Sequence, residues 1–66
     1  MSEIEDLKAE IRKLSSKAVQ AKMDLHDLSE ELPVNWTAIP EVARRTHEAF
    51  ATLEDRRAKL KLLEEG

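Results

Sequence analysis

The chain has 66 residues, with 11 Lys and Arg against 14 Asp and Glu for a net charge of -3, and it contains no cysteine. That length allows one domain at most, and the missing cysteine excludes disulfides, thiolate metal sites and cysteine nucleophiles. The acidic balance argues against a nucleic-acid footprint, which is normally basic, and a domain this small usually depends on a metal or a partner for its stability.

Charged residues at 38%, apolar residues at 41%, one Gly and two Pro suit long solvated helices better than strands or disorder. No apolar run approaches the roughly 20 residues of a membrane span. The N-terminal "MSEIEDLK" is acidic and lacks the apolar core of a signal peptide, so the cytoplasm is the expected location.

A first helix is expected over about residues 2–31 of this single-domain chain (1–66). Its apolar positions are Ile4, Leu7, Ile11, Leu14, Ala18, Ala21, Leu25, Leu28 and Leu32, in alternating steps of three and four. Such spacing is a heptad seam. Ser2 and Glu5 form the Ser-x-x-Glu pattern of a capping box, in which each side chain satisfies an open amide at the helix start.

A turn is expected over about 32–39. Pro33 cannot continue the helix and turns Leu32 away from helical geometry. Asn35 and Thr37 are turn or cap candidates, and Trp36 reads either as an anchor against the helix ends or as an outward contact. Pro40 suits the first turn of a second helix, where its missing N–H would be unpaired anyway.

That second helix is expected over about 40–64, with a weaker seam of Ile39, Val42, Thr46, Ala49, Leu53, Arg56, Leu60 and Leu63. Arg56 can lay its methylenes along the groove and keep its head in water. The fold class is therefore all-α, an antiparallel two-helix hairpin. Folding the turn symmetrically places His26 near His47. It also leaves Val19, Met23, Ala43 and Phe50 on a second, partly apolar face. A two-fold dimer forming a four-helix bundle closes that face; exposure of Trp36, Val34 or Met23 would allow a tetramer.

The chemistry-bearing residues crowd "KMDLHDLSEELPVNW", residues 22–36. His26 and Glu30 are one helical turn apart, with Asp27 adjacent and Asp24 on the far flank. Imidazole with carboxylates suits a divalent transition metal such as iron, nickel or zinc. One His and one Glu are few ligands, so His47 or a symmetry-related pair would have to complete the set. The plainer alternative is an exposed histidine on an acidic face, with His47 an interface residue. Asp24, Asp27, Glu30 and Glu31 read as a solvated helix face or as a docking patch for a basic partner. No serine has a base at a useful spacing and no glycine-rich phosphate loop is present, so an enzyme is not expected.

"AKMDLHDLSEELP", "NW", "IPEVA" and "EAFATL" together resemble the small Rop-like proteins associated with nitrogen fixation, over roughly residues 18–53. The resemblance implies an all-α dimer or tetramer, encoded among genes for nitrogenase and its metal-cluster assembly and described as metal-binding. The motif positions carried over are Asp24, His26, Asp27, Leu28, Glu30, Leu32 and Pro33. Ser29 and Glu31 depart mildly from the family's alanine and aspartate. His47 stands where a tyrosine is expected, so it inherits no family role.

Three functional readings follow. The leading one is a non-enzymatic, homo-oligomeric accessory protein of nitrogen fixation that binds a divalent metal through His26, Glu30, Asp27 and His47, or acts near nitrogenase and its cofactor assembly. The second is a metal-free adaptor docking on a larger nitrogen-fixation protein through its acidic helix end and Trp36. The third, RNA binding by analogy with the plasmid protein Rop, draws on Arg44, Arg45, Arg56 and Arg57 and is opposed by the net charge.

Overall fold

The computed structural model describes residues 2–65. Helix α1 spans Glu3–Glu31, a short 3-10 turn spans Trp36–Ala38, and helix α2 spans Ile39–Glu65. The two long helices pack antiparallel into a rod of 49 × 15 × 13 Å.

Ser2 opens α1 in an extended conformation, and the Glu5 amide donates to its Oγ at 3.0 Å. That is the hydroxyl half of the expected capping box. Glu3, Glu5 and Asp6 in the first turn complement the positive end of the helix dipole. At the other end Leu32 leaves helical geometry at φ -55°, ψ 142° ahead of Pro33, as a residue before proline must.

The connection is more ordered than a plain turn. Asn35 takes the left-handed conformation at φ 61°. Asparagine reaches that region at lower cost than other residues bearing a Cβ. Asn35 closes the short turn over residues 32–35 that reverses the chain, and helical winding resumes at once: the Trp36–Ala38 turn runs directly into α2, which starts at Ile39, a residue earlier than expected. The Ala38 amide donates to the Asn35 carbonyl at 2.9 Å and the Val34 amide to the Glu31 carbonyl at 2.9 Å, using backbone groups the helix ends leave open.

Both seams pack as their spacing requires. From Ile4 to Leu28 every seam residue of α1 is buried or half-buried, with Leu7, Ala18 and Leu28 deepest; on α2 the run from Val42 to Leu63 is likewise covered and Leu53 is deepest. Midway along the rod the facing residues are small: Ala18 and Ala21 against Thr46 and Ala49. There Thr46 Oγ1 donates within its own helix to the Val42 carbonyl at 2.8 Å and comes within 3.3 Å of the Ala21 carbonyl on α1.

Arg56 lies along the seam with its head at the exposed edge, where its Nε lies 2.5 Å from Glu10 Oε1 on the other helix and its guanidinium also pairs with Asp55. One expectation about the helix pairing is corrected: the register differs from the symmetric fold. Thr46 faces Ala21 and Arg56 faces Glu10. This slides α2 by about six residues, roughly 9 Å at 1.5 Å per residue, from the alignment that would put His47 beside His26. The early restart of winding at Trp36 shortens the turn and sets this offset.

Candidate functional site

The acidic end of α1 is organised around one short contact. His26 Nε2 lies 2.5 Å from Glu30 Oε1, and both side chains are about two-thirds exposed, at 67% and 66%. The i, i+4 spacing puts them on consecutive turns of one helix face. Behind them the Ser29 hydroxyl donates to the His26 carbonyl at 2.7 Å, and Gln20 Nε2 donates to Asp24 Oδ1 at 3.0 Å. Asp27 and Glu31 are exposed, and none of the ion pairs among the described residues involves either.

Among the described residues, no three His, Cys, Asp or Glu side chains gather in a way that would hold a metal ion. One chain brings an imidazole and a carboxylate into contact and supplies no third donor. A structural zinc site has four ligands, so the residues of one protomer do not fit a closed metal centre. The observed register places His47 about level with Val19, and His26 about level with the start of α2.

The residues expected to line a second face are exposed. Val19, Met23 and Phe50 are 51%, 53% and 36% exposed, with Ala43 also exposed. Met23 stands about level with Ala43, and Val19 about level with His47. Trp36 does not anchor the helix ends: it is 64% exposed at the hairpin tip. A two-layer hairpin has nothing above its tip for an indole to pack beneath.

The rod carries a groove of about 380 Å³ whose lining includes Lys17, Asp24, Val42, Arg45 and Thr46. It lies where the seam is built of alanine and threonine, and that run of small residues is the sequence signal for it. Beside it Arg44 bridges Glu41, with Nη2 2.6 Å from Oε1, and Glu48, with Nη1 2.9 Å from Oε1. The hydrogen bond from Arg44 holds the Glu41 carboxyl below its usual range, while Glu41 and Glu48 raise Arg44 above its own. Arg45 and Arg57 also face carboxylates, at 3.6 Å from Glu41 and 3.1 Å from Glu54. The arginines that would form a phosphate-binding face are therefore engaged within the fold.

The family model described as Rop-like matches residues 2–65. A UPF0437 protein of Azorhizobium caulinodans is 67% identical over 66 residues, covering 100% of this chain and 96% of that one. A UPF0437 protein of Frankia alni, named for its place in the nifX-nifW intergenic region, is 54% identical over 43 residues, 65% of this chain and 52% of that one. Among solved structures, the crystal structure of a DUF683-family protein from the cyanobacterium Cyanothece 51142 matches with a TM-score of 0.87 at 49% identity, covering 89% of this chain and 97% of that one. A protein structure solved by NMR matches with a TM-score of 0.90 at 48% identity, covering 100% of this chain and 94% of that one.

Proposed function

The chain belongs to the Rop-like family, and on that premise we propose that it is a non-enzymatic helical accessory protein, self-associating through its apolar flank and working in the cytoplasm beside the nitrogen-fixation machinery. The observation that carries self-association is the pairing of a thin core with an uncovered face. Among the described residues Leu7, Ala18, Leu28 and Leu53 are the buried hydrophobic ones, while Val19, Met23 and Phe50 stand exposed. A core of that size sets little burial against the entropy of ordering two long helices. A second copy covering the flank buries apolar area on both molecules at once and closes the assembly by two-fold symmetry. The nitrogen-fixation setting is supported by the Frankia alni relative and its nifX-nifW location. Among the described residues no helix is long and apolar enough to cross a membrane.

Native mass spectrometry of the untagged chain tests this reading. An even-numbered oligomer is expected, and Phe50→Glu with Val19→Glu should give a monomer with much reduced helical signal. A wild-type chain that is folded and monomeric at micromolar concentration would remove the basis of the proposal.

One observation favours a second reading, in which the assembly binds iron, nickel or zinc. It is the 2.5 Å His26–Glu30 contact, which presents one nitrogen and one oxygen donor together at the surface. Donors from a second copy would have to complete the set, because one chain brings no third donor to His26 and Glu30. The same spectra decide it, provided the protein is purified without a metal-chelating column. A fixed metal count lost in His26→Ala supports the site; a metal-free oligomer of the same size counts against it.

A further inference from the structure

The end of the rod that holds the turn has a composition that self-association through the flank does not use. Leu32, Val34, Trp36 and Ile39 lie within eight residues of one another at the tip and are 40%, 61%, 64% and 39% exposed. Leu32 and Ile39 are the end positions of the two seams, and both emerge from cover where the helices part. The backbone beneath them is fixed by the Asn35 reversal and the turn hydrogen bonds, so these side chains are displayed on an ordered support. Exposed apolar groups gathered on such a support mark an interaction site, and tryptophan is among the residues that most often carry binding energy.

The border of this patch is negative. Asp27, Glu30 and Glu31 sit at the end of α1, whose last turn has no basic residue. The α1 C-terminus adds the negative end of its dipole. Across the tip Glu41 is already matched by Arg44 and Arg45, and Glu30 by His26, which leaves Asp27 and Glu31 facing solvent.

We propose that the hairpin tip docks a protein partner presenting the apolar face of an amphipathic helix flanked by lysine or arginine, with Trp36 laid on that face and Asp27 and Glu31 facing the flanking cations. The charge selects this occupant over the others. Two copies meeting tip to tip would bring like carboxylates within the roughly 8–10 Å over which charges act at physiological salt. Nucleic acid and anionic lipid carry the same sign as the tip.

The test is titration of the ¹⁵N-labelled full chain with a synthetic amphipathic helical peptide of leucine and lysine, alongside the same peptide with every lysine replaced by glutamine. The expected result is a set of shift changes confined to the amides of residues 27–39 and the Trp36 indole N–H, weakening as salt rises. Affinity for the lysine peptide should fall at least tenfold in Trp36→Ala and severalfold in Asp27→Asn with Glu31→Gln. Because these side chains are exposed, helicity and oligomer size should match the wild type in both variants, which separates loss of docking from loss of self-association. Equal binding of the glutamine peptide, shifts centred on Val19 and Phe50 instead, or no shifts at about millimolar peptide would each overturn the proposal.

Discussion

Asn35 holds φ at 61°, in the left-handed region, between two helices that must reverse within a few residues. A β-branched side chain there clashes with its own backbone, at a cost of about 1–2 kcal/mol. Asn35→Val should therefore lower unfolding stability by that amount, and Asn35→Gly should be neutral within a few tenths, both read from urea unfolding followed by helical signal. The same position shows how far residue-level reasoning reaches. "PVNW" marks a turn from composition alone, and Ser2 with Glu5 marks a helix start, because both are local chemistry along the chain. The exposure of Trp36 and the pairing of Glu10 with Arg56 are not local. The first depends on whether any third layer covers the tip, the second on which turn of α1 lies opposite Arg56, and neither is written in the neighbouring residues. The His26–Glu30 contact was legible because i, i+4 spacing fixes it within one helix.

At the level of the helix, periodicity fixed which face is buried and the turn fixed how the two faces align. The seam from Ile4 to Leu28 reads directly from its three-and-four spacing, and so does the weaker α2 seam around Thr46 and Arg56. Alignment follows from where winding restarts after Asn35, and it stands about six residues from the symmetric fold that would join His26 to His47. Leu53, 3% exposed, is the best-covered leucine of α2. Leu53→Ala should cost about 2–5 kcal/mol, since truncation removes burial and leaves a cavity between straight helices with few side chains free to fill it. Circular dichroism of this variant is expected to show a largely unfolded chain at 25 °C. Electrostatics along α2 give a second expectation. The hydrogen bond from Arg44 lowers the folded pKa of Glu41 below its ordinary value of 4.5. A depressed carboxyl contributes stability that is present above the unfolded pKa and disappears as pH falls through the folded one. Helicity of α2 should thus fall slightly on acidification from pH 5 toward pH 3, and Glu41→Gln should flatten that part of the profile. The change is small because both side chains are more than half exposed, at 55% and 56%.

For the whole molecule the question is what the folded unit is. A rod 49 Å long and 13–15 Å thick has a large surface for its volume, and along its length Val19, Met23 and Phe50 lie exposed. If those residues are covered by a second copy, folding and association are one equilibrium, and stability depends on protomer concentration. Each tenfold dilution then removes about 1.4 kcal/mol of association free energy, which for a unit of this size shifts the melting midpoint by several degrees. Melting midpoints recorded from about 1 to 100 μM should rise with concentration, with loss of helix coinciding with loss of the oligomer in sizing measurements. A hairpin stable by itself would show one midpoint at every concentration. Phe50→Glu gives the complementary result: the charge has no low-cost place in a closed interface but little effect on a solvated face. A lowered midpoint that no longer depends on concentration would therefore assign the cost to the interface, and a lowered midpoint that keeps the wild-type concentration dependence would assign it to the hairpin.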